Sequence, residues 1–257
     1  MRLLAIETAT SAQSVALFEE DRLLADISYE ANAHKGGLLL PAVDRLLKQA
    51  GLAAKDLGAV AVSVGPGSFT GLRVGLATAK GLALGTGAML VGVPTLEVLA
   101  EGYAVPDVTI CALLDARRGE VFMALFRRVG TGGAPLVGPS PALTETCLER
   151  VSPDAVLTPE AVQSVLARAE SPVHLIGDGA VRYRERFEAM LGDRVCMTET
   201  GLRTVPSAAM AGRVGLRQLA GGKRPGAVVE PVYLRKAEAE VNWEKGLLKS
   251  PLARVTR

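Results

Sequence analysis

The chain has 257 residues, 49% of them hydrophobic, enough for one large domain or two small ones with proper cores. Lys and Arg number 29 against 27 Asp and Glu, a net charge of +2, so no strong field marks the chain for nucleic acid or an anionic membrane. Two histidines argue against a metal site, and three separated cysteines without a C-x-x-C pair (Cys111, Cys147, Cys196) read as reduced, mostly buried thiols.

From Leu3 to Glu7 runs a short apolar strand, too short for a signal-peptide core. No later stretch reaches the ~18 apolar residues of a membrane span, so a cytoplasmic protein with no membrane partner is expected. Strands from Val15 to Phe18 and from Leu23 to Tyr29 follow across polar turns and read as an antiparallel meander. Leu38, Leu39, Val43, Leu46 and Leu47 recur at helical spacing and predict a helix between Gly36 and Gly51. A buried strand from Ala59 to Val64 leads into GPGSFTGLRVGLATAKGLALG, residues 65–85, then comes a strand from Leu90 to Val93 and a short helix from Pro94 to about Gly102.

Pro106 and Asp107 mark a boundary, after which the pattern starts again. Strands are expected from Val108 to Leu114, from Val121 to Phe126 and, irregularly, from Leu136 to Leu143. A helix between Pro159 and Ala169, a strand from Val173 to Ile176, a helix from Ala180 to Leu191 and a last helix from Ser207 to Ala220 complete the order. Both halves carry an acid at the end of their first strand and an Ala-Leu-Phe nine residues on, and Asp115 follows Glu7 by 108 residues. Gly177-Asp178-Gly179 follows Gly65-Pro66-Gly67 by 112 residues, each closing a strand and opening a helix. Two matches in order at nearly one offset argue for a duplicated unit. The expected architecture is α/β: an actin-like, ribonuclease H-like duplication with two lobes, each a mixed sheet with flanking helices. Residues 1–105 form the first lobe, completed by the helix at 207–220; residues 106–205 form the second; 231–257 are a charged, solvated tail.

In such a fold a nucleotide lies between the halves, and Glu7 and Asp115 are candidates to hold a magnesium–phosphate group. Thr8, Arg117, Gly177 and Gly179 flank them, and the set reads equally as a vestigial nucleotide site. Residues 65–85 fail the phosphate-loop tests: Gly71 is followed by Leu72 and Arg73 rather than Lys and Ser or Thr, and no third glycine completes G-x-G-x-x-G. Gly71, Gly75, Ala79 and Ala83 instead lie along one ridge of a helix. Gly71, Gly75 and Gly81 together cost that helix about 2–3 kcal/mol against alanine, so something must pack there, the chain's own sheet or a partner's helix.

The segments LLAIETAT, HKGGLLLPAVDRLL, VAVSVGPGSFTGLRVGLATAKGLA, LLDARRGEVFMALF and PVYLRKAEAE together resemble the TsaB (YeaZ) family over nearly the whole chain. That resemblance implies a non-catalytic scaffold or activator that binds TsaD, with TsaE, for threonylcarbamoylation of adenosine 37 in tRNAs reading ANN codons. It implies no catalytic residue, metal or cofactor of its own, ATP or ADP only at the joint site with TsaD, tRNA met through the complex, and a homodimer when TsaD is absent. The first lobe's helices form the interface: His34, Leu38, Leu39, Val43 and Leu46 from one, and Gly71, Arg73, Gly75, Leu76, Ala79, Lys80 and Ala83 from the other. Gly75→Leu is expected to abolish docking and leave the chain folded. The catalytic paralogue's H-x-x-x-H metal ligands fall here on Thr95 and Leu99, and leucine cannot bind a metal. The alternatives are an ATP-dependent enzyme using Glu7 and Asp115, and an M22-type glycopeptidase.

Overall fold

A computed structural model of the chain describes residues 1–31, 37–130, 146–169, 172–197, 205–222 and 229–235. His34, the expected strand from Leu136 to Leu143 and the tail from 236 onward lie outside the described residues. The first half runs β1 (Arg2–Glu7), β2 (Ala12–Glu19), β3 (Arg22–Glu30), α1 (Leu39–Gln49), a 3-10 turn at Ala54–Asp56, β4 (Ala59–Gly65), α2 (Phe69–Thr86), β5 (Met89–Pro94) and α3 (Thr95–Glu101). The second runs β6 (Thr109–Arg117), β7 (Glu120–Gly130), β8 (Thr146–Arg150), β9 (Ala155–Leu157), α4 (Pro159–Leu166), β10 (Val173–Ile176), α5 (Asp178–Arg182), α6 (Arg184–Leu191), β11 (Val195–Met197) and α7 (Ala208–Ala220).

The two sheets repeat one plan. The first has the order β3-β2-β1-β4-β5 and the second β8-β7-β6-β10-β11, with β9 added beside β7. In each, a meander of antiparallel strands gives way to parallel neighbours; the matched hairpins differ in register by one residue, Ala5 facing Ala16 whereas its counterpart Leu113 faces Met123. Continuous apolar runs make this possible: β4 is buried at every position, as a central parallel strand covered on both faces must be. Edge strand β3 alternates exposed and half-buried residues instead. One expected helix is divided, because Tyr183 at φ −108°, ψ 22° ends α5 and α6 starts afresh at Arg184.

Helices α1 and α2 cover one face of the first sheet, where Leu39, Val43, Leu46, Leu76 and Ala79 meet Leu4, Ile6 and Val62. The other face is covered by α3 and α7. A Cβ on Gly212 of α7 would lie 2.2 Å from the Phe18 ring, so α7 closes on the first sheet although it follows the whole second sheet in sequence. Ser14 Oγ fastens it by accepting from Ala208 N at 2.8 Å. No helix among the described residues is long and apolar enough to cross a membrane.

Helix α3 is the wedge between lobes: Val98 packs into the first core, Leu96 and Leu99 into the second. Its C-terminal carbonyls would be orphaned by burial. Arg128 of β7, fully buried, answers them: its Nε donates to Tyr103 O at 2.9 Å and its Nη2 to Glu101 O at 3.0 Å. The Glu101 carboxylate balances two guanidinium groups, Arg128 at 3.6 Å and Arg217 of α7 at 2.9 Å. Removing Arg128 leaves the buried Glu101 carboxylate to the half-exposed Arg217 and strips the α3 carbonyls of their donors. Arg128→Met is expected to lower the unfolding free energy by roughly 1–3 kcal/mol, measured by urea denaturation.

Candidate functional site

The glycines of residues 65–85 are fixed by close approaches within the chain. Gly65 has φ +119°, and a Cβ on it would stand 2.5 Å from Val232 O; on Gly67 it would stand 2.5 Å from Ala9 O. On Gly71 it would come to 2.0 Å from Thr8 O, and on Gly75 to 2.1 Å from Thr8 Oγ1. Thr8 Oγ1 donates to Gly71 O at 2.9 Å, and Ser68 N donates to Ala9 O at 2.7 Å. The loop after β1 therefore lies in the groove that the glycines leave, and Ser68 caps α2 by accepting from Gly71 N at 3.2 Å.

This corrects the expected interface. Gly71, Gly75, Leu76 and Ala79 are buried against the chain's own first lobe, and Leu39, Val43 and Leu46 are in its core, so none presents a surface to a partner. Gly75→Leu would strike Thr8 and probe folding, not docking. Ala83 is half-buried, while Leu38, Arg73 and Lys80 do face outward. With them on the outer side of α2 stand Thr70, Val74, Ala77, Gly81, Leu84 and Gly85. Leu84 is 89% exposed and Val74 45%, and beyond Gly81 and Gly85 nothing lies within 4 Å. Leu40 of α1, 57% exposed, adds to the same apolar exposure. The small residues at 77, 81 and 85 are spaced by four like those at 71, 75 and 79; their spacing was visible in the sequence, but spacing alone does not say which ridge points inward.

Between the lobes lies a cleft of about 710 Å³, walled by the loops at 9–13 and 66–71, the β6–β7 turn at 114–118 and residues 232–235. Asp115 and Arg117 line it; Glu7, Thr8, Gly177 and Gly179 do not. The Glu7 carboxylate is fully buried and accepts from Ser63 Oγ and, at 2.7 Å, from Ala9 N. Burial pushes it up to about 7, against these hydrogen bonds. It cannot reach a magnesium–phosphate group in the cleft, so the expected pairing with Asp115 is not formed. Asp115 itself has guanidinium neighbours, Arg182 at 3.5 Å and Arg117 at 3.7 Å. A Cβ on Gly177 would stand 2.0 Å from Leu113 O, and one on Gly179 3.0 Å from Leu113 C. These glycines let the β10–α5 turn close on β6. Arg117 and Arg118, at φ 64° and 56°, put two side-chain-bearing residues in the left-handed region at the cleft mouth.

The expected solvated tail begins as a strap. Val229 packs against Val64 over Gly92, and Val232 N donates to Val64 O at 2.7 Å. Two residues later Leu234 joins the second lobe's core, and Arg235 Nη1 donates to Ala116 O at 2.9 Å and faces Glu120 at 3.3 Å. Residues 229–235 thus tie the lobes across the cleft.

Elsewhere Leu99 is buried beside Gly177, and the Thr95 hydroxyl is buried with no hydrogen-bond partner among the described residues. His174 Nδ1 is hydrogen-bonded to Tyr103 OH, and partial burial lowers its pKa. Cys111 is buried, which pushes its thiol far up, but Cys147 and Cys196 are exposed, against the expectation of mostly buried thiols.

The model of the family described as TsaD: tRNA N6-adenosine threonylcarbamoyltransferase matches residues 29–243. The tRNA threonylcarbamoyladenosine biosynthesis protein TsaB of Escherichia coli (strain K12) is 32% identical over 248 residues, 95% of this chain and 98% of its own. The TsaB of Bacillus subtilis (strain 168) is 30% identical over 246 residues with the same coverages. Among solved structures, a Pseudomonas aeruginosa protein with similarity to peptidase YEAZ superposes with a TM-score of 0.71 at 28% identity, over 91% of this chain and 99% of that one. YeaZ from the same organism gives 0.68 at 27% identity with the same coverages. The α/β architecture with two sheets and flanking helices is common ground with these neighbours.

Two outcomes test the assignment of the glycines and of Glu7. Gly71→Ala drives a Cβ into backbone and is expected to cost roughly 1–3 kcal/mol or more, whereas Gly81→Ala meets open space and is expected to gain up to about 1 kcal/mol, both read by denaturant titration. The Glu7 carboxyl titrates at 4.5 when unfolded and about 7 when folded. Its contribution to stability is therefore full below pH 4.5, falls as pH rises through that window and is lost above 7, about 3 kcal/mol in all. Glu7→Gln is expected to flatten that part of the stability–pH profile and to stabilise the protein at pH 8; an unchanged profile would overturn the assignment.

Proposed function

We propose that this chain, which belongs to the TsaB family of tRNA threonylcarbamoyladenosine biosynthesis proteins, is the non-catalytic subunit that docks onto TsaD in making that modification. The observation that carries the reading is the outer side of α2. A helix that buries one glycine ridge within its own lobe leaves a second small-residue face uncovered, with Leu84 and Val74 exposed on it. Such a face lets a partner helix approach closely and rewards it with apolar burial of about 25 cal/mol per Å². Docking of TsaE and of tRNA then follows through TsaD, with ATP or ADP at the joint site, and a second copy of this chain takes the same face when TsaD is missing. The reading as an ATP-dependent enzyme loses its carboxylate pair, because Glu7 is sealed away from the cleft.

Val74→Glu and Leu84→Glu place charges on that face without touching the core. Either is expected to weaken binding to TsaD from the same organism by at least tenfold, about 1.4 kcal/mol, with an unchanged circular dichroism spectrum and melting temperature. Wild-type affinity in both variants would overturn the docking face.

A further inference from the structure

One guanidinium on the outer side of α2 is held rigid before any partner arrives. Arg73 Cζ lies 3.8 Å from the centroid of the Phe69 ring one turn earlier, and Arg73 Nε donates to Tyr233 OH at 3.0 Å. The Tyr233 ring leans on Phe69 with centroids 4.9 Å apart. Tyr233 is fixed in turn, since its neighbour Val232 is bonded to Val64 in the first lobe and Arg235 to Ala116 in the second. Stacking and a single Nε bond use the face and one edge of the guanidinium. Among the described residues no carboxylate lies within salt-bridge distance of Arg73, and α2 carries no acidic residue anywhere along its length.

We propose that Arg73, braced by Phe69 and by Tyr233 of the strap, is the electrostatic anchor of the docking face and takes an Asp or Glu carboxylate of the partner in a bidentate contact. The inference rests on the docking reading above and names the chemistry of its partner. A planar cation stacked on an aromatic ring presents a fixed fork, so binding a carboxylate costs less side-chain ordering than a free arginine would. Charge selects the occupant. The outer side of α2 presents Arg73 and Lys80 and no carboxylate, so a second copy packed α2 on α2 through a twofold axis opposes like charges and holds the face less tightly than an acidic partner helix, which displaces it. Tyr233 makes the face composite, because an element that returns more than 150 residues later in the chain, over Gly65, positions the cation.

The test is titration calorimetry of the full chain with TsaD from the same organism at two salt concentrations. Arg73→Ala is expected to weaken binding about tenfold or more and to reduce its salt dependence, with the melting temperature unchanged. Arg73→Lys is expected to recover little, because an ammonium neither stacks nor forks, and Tyr233→Ala to weaken binding severalfold while Tyr233→Phe weakens it less. If Arg73→Ala binds like wild type while Leu84→Glu does not, the anchor is overturned and the docking face stands. If the lysine variant binds like wild type, the bidentate contact is overturned. If Arg73→Ala weakens self-association and leaves TsaD binding intact, the occupant is a second copy and the proposal is overturned. If wild-type chain does not bind TsaD, the docking reading and the anchor fall together.

Discussion

Thr8 lying in the groove of α2 is the contact on which the first lobe's arrangement depends. Its carbonyl and hydroxyl occupy the space that side chains at 71 and 75 would fill, and its hydroxyl returns a hydrogen bond to Gly71 O. The two inward glycines, Gly71 and Gly75, cost the helix about 2 kcal/mol relative to alanine; burial of Leu72, Leu76 and Ala79 beside the loop offsets that loss. Because the inner ridge is committed, the orientation of the helix about its axis is fixed, and the residues that remain outward are fixed with it. The surface offered to a partner is thus a consequence of an internal packing contact.

The strand-end acids show how duplication and divergence coexist. Glu7 ends β1 and Asp115 lies two residues short of the end of β6, in sheets of one topology. The longer side chain in the first lobe folds under its own loop onto Ser63 and Ala9, where burial lifts its pKa. The shorter one stays at the cleft and balances Arg117 and Arg182. One methylene and a different set of neighbours separate a carboxyl sealed under its own loop from one that faces two guanidinium groups at the cleft.

Much of the fold was legible because hydrophobic periodicity and the repeat reach across the whole chain. The alternation of strands and helices, the offset between halves and the return of residues 207–220 as a helix all carry a sequence signal. What was not legible is direction. Gly71, Gly75, Ala79 and Ala83 announce a ridge of small residues, and nothing in their spacing distinguishes Thr8 from a partner's helix as the occupant. The same holds for Leu39, Val43 and Leu46, whose heptad-like spacing marks an apolar face without saying that the face is the chain's own core. Residues 232–235 read as the start of a charged tail because Arg235 and Lys236 dominate the composition there; the backbone bond from Val232 to Val64 leaves no compositional trace.

The chain passes between the lobes more often than two independent units would require. Helix α3 shares its faces between both cores, α7 returns to the first sheet after the second is complete, and the strap at 229–235 crosses again. Arg128 and Glu101, buried, and Arg217 at the surface bind β7, α3 and α7 into one charge cluster. Each crossing adds a contact that opening of the cleft would break, and the last of them, through Tyr233, also braces Arg73. The cleft between the lobes is bridged at several points. Contacts that cross between the lobes and reach Arg73 through Tyr233 favour preorganisation of the docking face, and a preorganised face surrenders less entropy when its partner binds.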